Sequence, residues 1–163
     1  CATSYISFLL AEPADFLSDV IYDADMADVA SVQVHIDGET DLNMELDSEN
    51  KQYIVNDIDV DALGTDAVDA LTTLYDNLTG LTTSTLDLTD NVLTEEEPEI
   101  TLTYNLKDGT TEVITFLAKD KESYYVLRNG EYSGFLAKRT AFTSRNGILE
   151  FYHRLEKTIG MTE

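Results

Sequence analysis

Alternation of apolar and polar residues, broken by short turn signals, is the feature that most constrains the fold of this chain. Apolar residues occupy every second position over 32–36, Asp37-Gly38 follows, and the alternation resumes over 42–46. A period of two indicates a strand with one buried face, and Asp-Gly is typical of a tight hairpin turn. With a third run over 52–55, the sequence predicts an antiparallel meander.

The second half of the chain repeats this pattern. Alternation over 100–106 leads to Asp108-Gly109, and Asn129-Gly130 separates two later runs of strand-forming residues. Asn-Gly is the strongest short-range signal for a hairpin, because both positions adopt a left-handed backbone easily. The sequence therefore predicts a second set of antiparallel hairpins.

Two segments change to the spacing of three and four that an amphipathic helix requires. Residues 65–79 are predicted to form the first helix, with Thr65 as its N-cap and Gly80 in the left-handed position after its end. Residues 144–159 are predicted to form the second, which Gly160 ends. The fold class is therefore α+β, with mainly antiparallel sheet in hairpins and meanders and one central and one C-terminal amphipathic helix.

The same reading gives the domain organisation. Residues 1–28, where Pro13 interrupts a short apolar helical pattern, are predicted to be a helical connector segment. Residues 29–163 are predicted to be a single α+β domain. Its first part, 29–80, is the meander plus helix, and its second part, 81–163, is a second sheet region plus the C-terminal helix.

The charge of the chain is strongly acidic and unevenly distributed. The net charge is −22, and residues 1–100 hold 24 acidic residues but a single basic one, Lys51. Such a surface repels phosphate groups, which excludes nucleic acid and anionic lipid as partners. Cations, basic protein surfaces or plain solvation remain compatible with it, and so does adaptation to high salt.

Three aspartates have the spacing of calcium ligands. Asp57, Asp59 and Asp61 stand at every second position, as in an EF-hand loop. That loop also needs glycine sixth and a bidentate acid twelfth, where this chain has Ala62 and Val68. A looser calcium site built on the three aspartates, and exposed acids with no ion, are the two interpretations.

Residues for catalysis are hard to find in the sequence. His35 and His153 are the only histidines, and neither has a partner in an HExxH or H-x-H motif. No G-x-S-x-G elbow, glycine-rich phosphate loop or tryptophan is present. We therefore predict no catalytic residue, no bound cofactor except calcium, and no enzymatic activity.

Half of the positive charge, five of the ten lysines and arginines, is gathered near the C-terminal end. The cluster consists of Lys138, Arg139, Arg145, Arg154 and Lys157. It either pairs internally with the acidic part of the chain or contacts an acidic partner.

Cysteine and hydropathy set further bounds. Cys1 is the single cysteine, so no internal disulfide forms. It is compatible with the lipidated first residue of a lipoprotein and with an arbitrary chain boundary. No apolar run reaches the roughly 18–20 residues that span a bilayer, so the fragment itself is predicted not to cross a membrane.

The order of these segments resembles a known family, over about residues 13–138. The segments that carry the resemblance are Pro13-Ala14-Asp15-Phe16-Leu17-Ser18-Asp19, Asp28-Val29-Ala30-Ser31-Val32-Gln33-Val34, Tyr53-Ile54-Val55, the helix over 68–78, Thr101-Leu102-Thr103-Tyr104, Lys107-Asp108-Gly109-Thr110 and Tyr124-Tyr125-Val126. They resemble the bacterial "domain of unknown function 4340" family.

The resemblance implies a function without chemistry. Members resemble membrane-tethered envelope proteins that are frequently encoded beside transporter components of the gliding-motility type, and no catalytic residues are assigned to them. We therefore expect an extracytoplasmic interaction or scaffold module of a bacterial cell-envelope protein, with an envelope or ABC-type transporter protein as partner. The alternative is a calcium-dependent binding or adhesion module that uses Asp57, Asp59 and Asp61.

Overall fold

A computed structural model describes residues 20–39, 41–87 and 97–161 of the chain. The described residues form one antiparallel sheet and four helices. The strands are β1 Val29–Ile36, β2 Leu42–Asp47, β3 Gln52–Val55, β4 Ile58–Asp59, β5 Thr85–Leu86, β6 Ile100–Leu106, β7 Thr111–Ala118, β8 Ser123–Arg128 and β9 Glu131–Lys138. The helices are α1 Val60–Leu63, α2 Thr65–Thr79, α3 Thr140–Thr143 and α4 Ile148–Ile159.

All nine strands belong to a single sheet, in the order β4-β3-β2-β1-β6-β7-β8-β9-β5. The two predicted sets of hairpins join at the centre, where β1 and β6 pair antiparallel with Val32 opposite Tyr104. The α+β fold with antiparallel hairpins is confirmed. The second sheet region predicted over 81–163 continues the first, because β6 pairs with the edge of β1 that β2 does not occupy.

The helices cover one face of this sheet. Alternate strand residues such as Val34 and Leu102 point into the core, where they meet α2 and α4. The two helices pack against each other and contribute fully buried side chains, among them Leu74 and Leu155. Each large apolar side chain buried in this way stabilises the fold by roughly 1.5–3 kcal/mol.

The ends of the helices differ in part from the sequence prediction. Helix α2 spans the predicted residues, but Gly64 is its N-cap and Gly80 has a φ of −85°, outside the left-handed region. The Gly80 N–H donates instead to the Asp76 carbonyl at 2.9 Å. The predicted C-terminal helix begins four residues later than predicted, at Ile148, because residues 144–147 form a turn in which the Gly147 N–H donates to the Ser144 carbonyl. The short helix α3 precedes this turn and was not predicted. Gly160 ends α4 in the left-handed conformation, as predicted.

The described part of the predicted connector is not helical. Residues 20–28 run as irregular chain with a turn, and Val20 forms a β-bridge with Thr82. Ile21 and Tyr22 pack on the core, and the Ile21 N–H donates to the Leu81 carbonyl at 2.8 Å. These apolar residues gain more by packing on the domain than an isolated helical turn offers. Residues 1–19 lie outside the described part.

Candidate functional site

The sheet face opposite the helices carries a polar groove at its centre. Strand alternation places Gln33 and His35 of β1 on this face, opposite Thr103 and Thr101 of β6. The groove has a volume of about 400 Å³. It is lined by Gln33, Val34, His35, Asp41, Leu42, Asn43, Asn56, Thr101 and Thr103. Hydroxyls and amides dominate the lining, so the groove suits a hydrogen-bonding partner.

One wall of the groove is held by a small hydrogen-bond network. His35 Nδ1 and Asp41 Oδ1 are 2.5 Å apart. Asn56 has a left-handed φ of 46°, and its side chain donates to the Asp41 carbonyl at 2.8 Å and accepts from the Asn43 amide at 2.7 Å. The turn after β3 is thereby fixed to the start of β2, which keeps the wall in one conformation.

The three aspartates of the predicted calcium site have separate local partners. Asp59 Oδ1 accepts from the Ala62 amide at 3.1 Å and caps α1, and Asp61 Oδ2 accepts from the Tyr53 amide at 2.7 Å. Asp57 is exposed in a turn with a φ of 68°. Among the residues the structure describes, these carboxylates do not form a cluster able to hold a metal. Their spacing along the chain is explained by capping and turn formation.

The basic cluster is divided between an internal pair and exposed charges. Arg139 Nη1 and Nη2 each donate to a Glu99 carboxylate oxygen at 2.8 Å, and its guanidinium lies 4.3 Å from the Tyr124 ring centroid. The Arg139 hydrogen bonds lower the pKa of Glu99, while burial and the Glu99 carboxylate raise the pKa of Tyr124 to about 12. Arg139 is thus a structural residue. The other four cluster members are exposed: Lys138, Arg145, Arg154 and Lys157.

A second polar cluster, which the sequence did not reveal, connects the β1–β2 turn to α4. His153 Nε2 lies 2.9 Å from Glu39 Oε2, and Glu156 is adjacent, one turn further along α4. One ligand atom from each of these three side chains lies within 4.8 Å of the others. The i, i+3 spacing of His153 and Glu156 was visible in the sequence, but Glu39 is 114 positions away from His153.

Both histidine side chains form hydrogen bonds with carboxylates. Within the described ranges, each of them hydrogen-bonds to an acid, His35 to Asp41 and His153 to Glu39, and neither bonds a serine hydroxyl or a thiol. A nucleophile next to a histidine base is the arrangement that acyl transfer requires. The geometry of the described residues therefore offers no support for a hydrolase of that kind.

The fold and the groove define an α+β domain with a polar groove over β1, β2 and β6, on the sheet face opposite the helices. On the same face, Leu117, Leu127 and Leu136 of β7 to β9 are buried. Comparison with protein-family models, with curated proteins and with solved structures gives no match. The resemblance described above therefore stays a prediction from the sequence. In the part of the chain that the structure describes, no helix has the length and hydropathy needed to cross a bilayer.

Proposed function

We propose that this domain is a non-enzymatic interaction or scaffold module of a bacterial cell-envelope protein, and that it binds another envelope protein. The observation that carries this proposal is the polar groove over β1, β2 and β6, on the sheet face opposite the helices. A face that only stabilises the fold needs no groove, whereas a set of exposed amides and hydroxyls in a concave surface suits recognition.

Binding occurs on the face of the sheet and not at its edges. The edge strands, β4 and β5, each have only two residues. Short edge strands are a common way to prevent pairing with another chain, and they offer few backbone groups to an added strand. The groove over β1, β2 and β6 remains as the larger polar surface.

The partner presents a basic and polar surface. The groove itself is lined mainly by uncharged donors and acceptors, and the exposed acids Asp41 and Glu45 lie at its side of the sheet. With a net charge of −22, the chain attracts cationic surfaces over a long range and repels anionic ones. The envelope location and a transporter-associated partner rest on the family resemblance.

Site-specific photo-cross-linking in cells that produce the protein tests the proposal. A cross-linking residue is placed at Gln33, which is exposed in the groove, and in a control variant at Asp69, which is exposed on α2. We expect a specific envelope protein to be captured from the Gln33 position and not from Asp69, and capture to weaken at high salt. Equal capture from both positions, or none from Gln33, contradicts the proposal.

A further inference from the structure

The cluster of Glu39, His153 and Glu156 has the composition and spacing of a metal site. Glu39 belongs to the tight turn between β1 and β2, where its N–H donates to the Ile36 carbonyl at 3.0 Å. His153 and Glu156 are three positions apart on α4, so their side chains leave the helix on the same side. The turn and the helix thus bring three ligand atoms within 4.8 Å of one another.

The burial of Glu156 distinguishes this cluster from ordinary surface acids. It is 3% exposed and is the one buried charged side chain in the described part of the chain. No donor within the described ranges forms a hydrogen bond with its carboxylate. Burial of most of this side chain makes the ionised carboxylate less favourable, so a positive charge beside it stabilises the folded protein. A cation held between Glu39 and Glu156 supplies such a charge.

Tyr152 gives a second, independent observation at the same place. Its hydroxyl is buried and has no hydrogen-bond partner among the described residues, although buried tyrosine hydroxyls are normally paired. Its ring centroid lies 5.7 Å from that of His153, one of the three cluster residues.

We propose that Glu39, His153 and Glu156 bind a divalent transition-metal ion, for which zinc is the probe. One imidazole and two carboxylates are ligands that zinc accepts, whereas calcium and magnesium prefer oxygen ligands alone. In a tetrahedral zinc site neighbouring ligand atoms are about 3.3 Å apart, which small side-chain rotations reach from the present spacing. Three protein ligands leave a fourth position open.

The metal clamps the β1–β2 turn to the last helix. Among the described residues, the His153–Glu39 contact joins the two elements, and the His153 side chain is 51% exposed. Exposed pairs of this kind stabilise proteins only weakly. A bound divalent ion joins the same two elements through three ligands and neutralises the two carboxylates.

Zinc titration of the untagged, chelator-treated protein tests the site. Isothermal titration calorimetry is expected to give one zinc per chain. At a zinc concentration a hundred times the Kd, the melting temperature is expected to rise by about 5 °C or more. Cobalt is expected to give the visible absorption of a tetrahedral complex.

His153→Ala and His35→Ala form a matched pair of variants, because both histidines are exposed and both contact a carboxylate. We expect His153→Ala to weaken zinc binding by at least about a hundredfold. Loss of a ligand costs more than the 10–100-fold effect of losing a group that only hydrogen-bonds to a ligand. His35→Ala is expected to bind zinc like the unmodified protein. Glu156→Gln, which keeps the shape of the side chain, is expected to behave like His153→Ala.

Three outcomes overturn the inference. They are the absence of zinc binding to the unmodified protein at sub-millimolar concentrations, binding that His153→Ala leaves unchanged, and binding lost equally in His35→Ala. In each case Glu39, His153 and Glu156 are neighbouring side chains that hold no metal.

Discussion

Arg139 and Glu99 form a two-fold hydrogen-bonded ion pair, with Nη1–Oε2 and Nη2–Oε1 distances of 2.8 Å. The pair joins the residue after β9 to the residue before β6, across β7 and β8. Tyr124 of β8 completes it, because its hydroxyl lies 3.0 Å from Glu99 Oε2 and its ring lies against the guanidinium. The pair therefore fixes the ends of four neighbouring strands.

Glu99→Gln is expected to lower the free energy of unfolding by about 1 kcal/mol at pH 7, since the pair is partly exposed and screened by solvent. The pKa of Glu99 is lowered in the folded protein, chiefly by its hydrogen bonds from Arg139. The stabilisation is therefore complete above the ordinary glutamate pKa of about 4.3 and is lost as the pH falls below it. Urea unfolding of both proteins between pH 7 and pH 3 measures this.

The control for this prediction is Lys138→Met, which removes a neighbouring exposed charge. It is expected to change stability little at any of these pH values. A difference between Glu99→Gln and the unmodified protein that stays constant down to pH 3 contradicts the assigned role of the pair.

Tyr104→Phe is expected to leave stability unchanged or to raise it by up to about 1 kcal/mol, because its buried hydroxyl has no hydrogen-bond partner among the described residues. Tyr75→Phe is the matched change. The Tyr75 hydroxyl donates to the Ala24 carbonyl at 2.8 Å, so its removal is expected to cost about 1 kcal/mol. Thermal unfolding of the two variants gives the order, and a Tyr104→Phe protein less stable than Tyr75→Phe contradicts it.

Gly147→Ala is expected to destabilise the domain by about 1–3 kcal/mol, since a Cβ at this position lies 2.5 Å from the Phe142 carbonyl oxygen. The φ of Gly147 is −88°, which any residue adopts, so the cost is purely steric. Asn146→Ala, at the exposed neighbouring position, is the control and is expected to be neutral. Denaturant midpoints measure both, and equal stability of the two variants shows that α3 and α4 separate easily.

Calcium is expected to leave the melting temperature unchanged. Two of the three aspartates at 57, 59 and 61 are already bonded to backbone amides, and the three do not converge. A ligand that binds the folded state must raise the melting temperature in proportion to its occupancy. Melting curves with millimolar calcium and with a chelator measure this. A rise in melting temperature with calcium that Asp57→Asn abolishes would contradict this prediction and support a calcium site at these aspartates.

The sequence by itself determined the local elements of this protein. Alternation over 32–36 and 42–46 identified strands and the faces they bury, and Asp37-Gly38 identified the turn between them, because backbone geometry imposes these periods within a few residues. Residues 65–79 gave the central helix for the same reason. Features that depend only on residues close in the sequence, such as turns and the buried face of a strand or helix, were therefore predictable.

Only the tertiary structure determined which of these elements contact each other. The pairing of β1 with β6 turned two predicted sheet regions into one, and the packing of α4 beside the first hairpin brought His153 to Glu39. Periodicity states that a face is buried but not what covers it, since contacts between distant residues depend on the whole arrangement of elements. For that reason the spacing of Asp57, Asp59 and Asp61 did not reveal their separate hydrogen-bond partners, and the sequence showed the spacing of His153 and Glu156 but not their approach to Glu39.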